Sequence, residues 1–324
     1  MPEAQTKSKS NFDFASYLAV RRRHIEDSLA LYLADGEPAK LFDSMRYSVL
    51  SGGKRLRALL VIAAAESVAA GQSRPDELDR SLLERVMPCA CAIEMVHAMS
   101  LIHDDLPCLD NDDLRRGKAT NHKVFGEAMA LLAGDGLLML ANQVLIAHTR
   151  NVAPANLLEV ALELSKATGP SGMVGGQVKD MEFTGTADHI DVETVAGIHA
   201  GKTGALIRFS LWSGGKLMNA PEKQLRSLYR LGEILGLAFQ IQDDLLDVTG
   251  DAKTLGKTPG KDEATKKATW VAAIGIDGAR TKLAELEAEG KALIESASLD
   301  NSQDFASSSP VLHSLLRFSI HREK

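Results

Sequence analysis

Leu235-Gly236-Leu237-Ala238-Phe239-Gln240-Ile241-Gln242-Asp243-Asp244-Leu245-Leu246-Asp247-Val248 sets three carboxylates into an otherwise apolar helical pattern. Asp243 and Asp247 are one helical turn apart, so on a helix they sit about 40° from each other, on one face. Gln240, one turn before Asp243, shares that face. Carboxylates among apolar residues are costly unless something positive neutralises them. Magnesium is a hard cation that takes oxygen ligands and is commonly shared with substrate phosphates. The plainer alternative is a solvated acidic stripe, and the dense apolar flanks weigh against it.

Upstream, Leu101-Ile102-His103-Asp104-Asp105-Leu106-Pro107-Cys108-Leu109-Asp110 echoes the pattern, and Asp112 and Asp113 follow. Asp104 and Asp110 would lie about 120° from alignment on an unbroken helix. Pro107 makes a break there, and a loop starting at that point can fold Asp110 back beside Asp104. An EF-hand does not fit, because the run from Asp110 lacks a glycine at loop position six and has Asn121 at position twelve. The Cys108 thiol is too soft a ligand for magnesium and is read as a packing residue.

Cations accompany both acidic clusters. Lys54, Arg55 and Arg57 follow Gly52-Gly53, and Arg115 and Arg116 follow the first cluster. Lys202 and Thr203 stand in Gly201-Lys202-Thr203-Gly204, and Lys257, Lys261, Lys266 and Lys267 follow the second cluster. Each group alone is more often a solvated face. Carboxylates for a metal together with cations for phosphate are what a diphosphate substrate demands. Gly201-Lys202-Thr203 is not a P-loop, since Ala196 stands where the upstream glycine is required.

The frame around these clusters is helical. Of 324 residues, 45% are apolar and only 5% aromatic, a composition that favours helix over strand. The apolar spacing predicts helices over Phe14–Leu33, Leu41–Leu50, Arg57–Ala70, Leu78–His103, Phe125–Thr149, Ala155–Ala167 and Gly172–Phe183. It continues with Val192–Leu217, Pro221–Val248, Lys267–Ile274, Gly278–Ser296 and Pro310–Arg317. No run shows sustained strand alternation. Arg57–Ala70 is apolar on several faces and belongs in the centre. Gly71–Asp76 and Asn301–Ser309 read as loops. The glycine pairs at 52–53, 175–176 and 214–215 mark turns or close backbone approaches. The expectation is an all-α fold with residues 1–12 as a disordered tail and residues 13–324 as one domain.

The net charge of −6 argues against non-specific nucleic-acid binding. Three cysteines, Cys89, Cys91 and Cys108, give no disulfide framework and fit a reducing compartment. Cys89 and Cys91 lie in an apolar run and are expected to be buried thiols. No apolar stretch of about 18 residues is evident, so no membrane span is expected. The N-terminus lacks the apolar region of a secretory signal, and a cytoplasmic protein is expected.

These motifs, in this order and spacing, resemble the trans-isoprenyl diphosphate synthases, the family of farnesyl and geranylgeranyl diphosphate synthases. The resemblance runs from about Leu41 to the C-terminus. It rests on Gly52-Gly53-Lys54-Arg55-Leu56-Arg57, the two aspartate motifs, Arg115-Arg116-Gly117-Lys118, Gly175-Gly176-Gln177, Lys202-Thr203 and Phe239-Gln240. Gly256-Lys257-Thr258 and Gly260-Lys261-Asp262 complete it. It implies an isoprenoid synthase fold with helices around a deep central cavity, the two aspartate motifs facing each other across it, and a homodimer. It implies magnesium as cofactor, as three ions shared with the substrate diphosphate. Asp104 and Asp110 would bind it on one side with Asp105 helping, and Asp243 on the other with Asp244 and Asp247 supporting. Lys54, Arg57, His97 and Arg116 match the isopentenyl diphosphate site. Arg115, Lys202, Lys257 and Lys267 match positions that hold the allylic diphosphate, joined by Thr203 and Gln240. The tail His321-Arg322-Glu323-Lys324 resembles the basic C-terminus that closes over the site in relatives. The family often has Tyr where Trp270 stands.

The implied substrates are isopentenyl diphosphate and the allylic dimethylallyl, geranyl and farnesyl diphosphates. In the implied chemistry the allylic carbon–oxygen bond ionises, the alkene of isopentenyl diphosphate attacks, and the released diphosphate takes the proton. No side-chain base is required. The Thr203 hydroxyl, the Gln240 amide and the Lys202 carbonyl are dipoles able to stabilise the cation. Two rivals share the fold. A terpene cyclase would typically replace the second motif with an Asn/Ser/Glu pattern, whereas Asp243, Asp244 and Asp247 are intact. A non-catalytic subunit of a heteromeric synthase would usually lose aspartates of the first motif, which this chain keeps. Product length is expected to depend on Met99 and Ser100, five and four residues before Asp104. Met99 lies ~7.5 Å back along the helix axis, where related farnesyl synthases typically carry an aromatic block. Met99-Ser100-Leu101-Ile102-His103 and Asp110-Asn111-Asp112-Asp113 look like plant-type geranylgeranyl synthases. The expected product is geranylgeranyl diphosphate, with farnesyl diphosphate as the alternative.

Overall fold

Residues 12–69, 80–184, 191–249, 267–298 and 309–322 are described by the structure, a computed structural model. The expected loops at Gly71–Asp76 and 301–308, the tail 1–11, the Lys257 and Lys261 motifs with Lys266, and Glu323-Lys324 lie outside the described residues. The chain runs α1 (Phe14–Tyr32), α2 (Ala39–Val49), α3 (Leu56–Val68), α4 (Arg80–Asp104), β1 (Leu114–Arg115), β2 (Lys118–Ala119), α5 (Asn121–Phe125) and α6 (Glu127–His148). It continues α7 (Pro154–Thr168), α8 (Met173–Phe183), α9 (Val192–His199), a π turn (Ala200–Gly204), α10 (Ala205–Leu217), α11 (Glu222–Thr249), α12 (Trp270–Ser298) and α13 (Ser309–Ile320). The fold is all-α, as the 3.6-residue periodicity predicts.

Local chemistry sets the boundaries. Asp13 caps α1, its carboxylate accepting from Ala15 N at 3.0 Å and Ser16 N at 3.1 Å. Between α2 and α3 the chain turns through Gly52 at φ 89° and Gly53 at φ 131°, a turn that the glycine pair makes cheap. α3 is central as expected: Leu56, Ala58–Ala65 and Ser67 are all buried. It packs against α4 and α10. Pro88 inside α4 leaves the Glu84 carbonyl without its intrahelical donor, and Arg150 N supplies one at 3.2 Å.

Three expectations need correction. The helix expected over Phe125–Thr149 runs as α6 from Glu127 to His148, while Phe125 ends α5, because Gly126 takes φ 88° between them. The all-helical reading also missed a ribbon: Leu114 pairs with Ala119 and Arg115 with Lys118. Arg116 and Gly117, at φ 54° and 76°, form its turn, and positive φ at both central residues matches the twist of a two-residue hairpin. Strands two residues long leave no alternation to read. Finally, α4 and α6 are long and apolar enough, by length and composition, to cross a membrane. α4 owes this to its place in the core. α6 packs one face on α4, and its other face is also apolar: Leu132, Met139 and Ile146 recur every seven residues and stand 53%, 68% and 55% exposed.

The glycines at 175–176 mark a close approach. The π turn lies against α8, and a Cβ at Gly176 would overlap the backbone nitrogen of Lys202. Gly176→Ala should therefore force α8 and the π turn apart. We expect ~2 kcal/mol or more of destabilisation, seen as a lower unfolding temperature, with activity falling further than the melting shift accounts for.

Candidate active site

α4 ends at Asp104 because Pro107 cannot continue it. The chain then curls back, and Asp110 N donates to Asp104 O at 2.8 Å. This brings the two carboxylates to one place, as expected. Burial raises the Asp104 carboxyl to about 6; Lys202 works against that shift and the neighbouring Asp110 adds to it. Asp105 turns the other way. It is 3% exposed and accepts from Arg115 Nε at 3.0 Å, and Arg115 Nη2 also reaches Asp112 at 3.5 Å. Burial raises the Asp105 carboxyl too, opposed by that guanidinium.

Across the cavity, α11 presents Asp243. Thr203 Oγ1 donates to Gln240 Oε1 at 2.8 Å, and Gln240 Nε2 donates to Asp244 Oδ1 at 3.3 Å. Asp244 Oδ2 accepts from Trp270 N at 2.8 Å, so it anchors the start of α12. Asp244 is 3% exposed and Asp247 1%. Of the three carboxylates only Asp243 lines the cavity, and the other two are packed against protein. Trp270 is thus fixed through its backbone.

The cations come from several elements. Lys202 Nζ lies 2.6 Å from Asp180 Oδ2 on α8, and Lys267 Nζ lies 3.7 Å from Asp110 Oδ1. Arg322 Nη2 lies 2.6 Å from Asp243 Oδ1 and donates to Phe239 O at 2.8 Å, with its guanidinium 3.7 Å from the Phe239 ring centre. On the other side Arg57, His97, Arg115 and Arg116 form a basic cluster. Burial holds the His97 imidazole well below its ordinary pKa, and Arg57 and Arg116 push it further down, so it is neutral at physiological pH. Burial also lowers Arg57, whose Nε has no hydrogen-bond partner among the described residues. Arg116 packs against Gly53 and donates to Gly52 O. Lys54 Nζ stands 6.0 Å from the Phe318 ring centre. A half-buried guanidinium with an unbonded Nε on the cavity is suited to an anion.

Between the clusters lies a cavity of about 430 Å³. Its lining includes Asp104, Asp243, Lys202, Thr203, Met99 and Ser100. Met95 and Val96, which also stand upstream of Asp104, do not line it. Among the described residues no three acidic, His or Cys side chains close on one point. Magnesium is commonly held by one or two carboxylates and completes its shell with water and phosphate oxygens. Asp104 and Asp110 on one side and Asp243 on the other are suited to that use.

Some site residues escaped the sequence reading. Asp180 and Glu94 were not singled out as functional, and Arg55 was named among the cations without its carboxylate partner. Glu94 is 4% exposed, accepts from Ala58 N at 3.2 Å and lies 3.6 Å from Arg55 Nη1. Asp180 gave little signal, since Lys179 and Glu182 beside it in the same helix read as ordinary surface charge. Asp180→Asn should release Lys202 while leaving the fold intact. We expect about tenfold lower kcat/KM for the allylic substrate, ~1.4 kcal/mol, with an unfolding temperature close to wild type.

The polyprenyl synthetase family model matches residues 38–298. The chain is 46% identical over 284 residues to a dimethylallyltranstransferase of Fischerella ambigua, covering 88% of this chain and 79% of that one. It is 42% identical to a chloroplastic geranylgeranyl pyrophosphate synthase of Capsicum annuum (90% and 75% covered). It is 43% identical to a farnesyl diphosphate synthase of Bacillus subtilis (88% and 92%). A solved Helicobacter pylori geranyltransferase, complexed with magnesium and isoprenyl diphosphate, superimposes with TM-score 0.80 at 29% identity over 96% of this chain and 98% of that one. These matches show that the chain belongs to the polyprenyl synthetase family, as a prenyltransferase of the isoprenoid synthase fold that condenses prenyl chains.

Proposed function

We propose that the protein extends allylic diphosphates with isopentenyl diphosphate in head-to-tail steps and releases geranylgeranyl diphosphate. The observation that carries the product assignment is Met99: buried at 4% exposure, it lines the cavity one turn below Asp104, together with Ser100. A thioether side chain is flexible and thinner than the aromatic block typical of farnesyl synthases at that position. Farnesyl diphosphate is the alternative product, since relatives with both names match at similar identity.

In this reading Asp104, Asp110 and Asp243 hold magnesium, with Asp105, Asp244 and Asp247 shaping their surroundings. Bound magnesium supplies Lewis-acid stabilisation of the diphosphate leaving group. Lys202, Arg115 and Lys267 hold the allylic diphosphate, and Lys257 joins them from outside the described residues. Lys54, Arg57, Arg116 and the neutral His97 hold isopentenyl diphosphate. The Thr203 hydroxyl is oriented by Gln240, and both present dipoles to the ionising carbon. The apolar lining keeps water from the cation.

Two copies of the chain form the enzyme in this reading. Leu132, Met139 and Ile146 on α6, with Leu158 and Leu162 on α7 at 72% and 54% exposure, make an apolar face suited to a like surface. A cytoplasmic setting agrees with Cys89, Cys91 and Cys108, all free thiols.

Product analysis with isopentenyl diphosphate and each allylic primer should give geranylgeranyl diphosphate as the end product. Met99→Tyr should shorten it by one isoprene unit. A wild-type enzyme that stops at farnesyl diphosphate, even when primed with it, would overturn the product assignment. In size-exclusion chromatography with light scattering, wild type should run as a dimer and the Met139→Glu, Leu158→Glu double variant as a monomer.

A further inference from the structure

The cavity that accepts the growing chain has two helical walls. On α4 the lining residues are His97 and Met99–Leu101 together with His103 and Asp104, and nothing on α4 before His97 reaches the cavity. On α8 the lining begins at Met173, the first residue of the helix, and ends at Met181. Two contacts fix the height of α8 against the charged end: Gly176 lies on the backbone of Gly201 and Lys202, and Asp180 pairs with Lys202 at 2.6 Å. Lys202 is also near enough to Asp104 to influence its ionisation, so Asp180 and Asp104 mark the same end of the cavity.

From that end the two walls can be measured downwards. Met99 lies ~7.5 Å before Asp104 along α4, and Met173 lies ~10.5 Å before Asp180 along α8. Each wall therefore carries a methionine set back along its helix from a carboxylate. Met173 is 5% exposed and Met99 4%, so both are packed from behind and open only towards the cavity. The other apolar residues of α8 on the cavity, Val174, Val178 and Met181, are 45%, 50% and 53% exposed. They edge the space without closing it.

We infer that Met173 is a second specificity-determining residue, which sets the depth available to the product jointly with Met99 from the opposite wall. An unbranched thioether can swing aside for a longer chain at little cost. A rigid ring at the same place cannot, and a smaller side chain leaves the space open. The inference rests on the reading that the prenyl chain grows into this cavity, and it holds for either wild-type product length.

The test is the product distribution of Met173→Phe and Met173→Ala with isopentenyl diphosphate and dimethylallyl diphosphate. Met173→Phe should shorten the main product by at least one isoprene unit, and Met173→Ala should lengthen or broaden it. The rate of the first condensation should stay within about threefold of wild type in both, since Met173 is an apolar lining residue about two helical turns before Asp180. Wild-type distributions from both variants would overturn the inference. If Met173→Phe does not fold, Met173→Ala decides alone, and an unchanged distribution from it is the overturning result. A wild-type enzyme that makes farnesyl diphosphate would defeat the geranylgeranyl assignment, and the shift relative to that product would still decide the role of Met173.

Discussion

Carboxylates borne by core helices must find positive charge inside the protein, and this requirement organises the whole cavity end. α4 and α11 are apolar helices that bring Asp104 and Asp243 to partly buried positions. Isolated charges there would cost several kcal/mol each. The neutralising groups arrive from segments far apart in the chain: Arg115 from the β-ribbon, Lys202 from the π turn, Lys267 before α12 and Arg322 after α13. Each of those segments is held in a particular backbone conformation. The ribbon turns through positive φ at Arg116 and Gly117, and the π turn rests on Gly176 with no room for a side chain. The irregular parts of an otherwise regular fold are thus the parts that deliver charge.

The π turn shows how the delivery works. An α-helix continued from α9 into α10 would carry Lys202 and Thr203 in its regular stagger. Five residues of π geometry interrupt it at the cavity, a common form of irregularity at functional sites. Lys202 then reaches Asp180 and Thr203 reaches Gln240. Gln240 in turn bonds Asp244, which holds Trp270 N. One chain of hydrogen bonds therefore connects the hydroxyl proposed to face the reacting carbon to the start of the next helix. A buried network of this kind fixes side-chain orientation because each member would be costly to leave unpaired.

Much of this was legible in the sequence, for identifiable reasons. Long helices with 3.6-residue periodicity announce themselves, and the return of Asp110 to Asp104 follows from Pro107. What escaped depends on contacts distant in sequence or on very short elements. Asp247 shares a helical face with Asp243 by spacing alone, yet it is 1% exposed while Asp243 opens to the cavity. Facial angle fixes direction around one helix and says nothing of where a neighbouring helix stops covering it. The pairing of Asp180 with Lys202 spans 22 residues and depends on how α8 meets the π turn. Gly126 separates α5 from α6 just after the expected helix start at Phe125, because periodicity reports which faces are buried and not the φ of a single residue.

The charge arrangement also bears on how such a site accepts its substrates. The cations that face carboxylates here, Lys202, Arg115 and Lys267, are the ones proposed to face phosphate oxygens. A metal–diphosphate group brings both signs at once. In the proposed reading its metal ions would be partners for Asp104, Asp110 and Asp243, and its phosphate oxygens partners for the lysines and arginines. Binding then exchanges partners among charges that are already desolvated, so much of the cost of burying them is met during folding rather than at each turnover. Arg57 and the neutral His97 differ. Burial lowers the pKa of each, and the Nε of Arg57 has no hydrogen-bond partner among the described residues. An anion at Arg57 would supply the acceptor that its Nε lacks among the described residues, so the same chemical group is proposed to be met by exchange of partners on one side and by filling an open donor on the other.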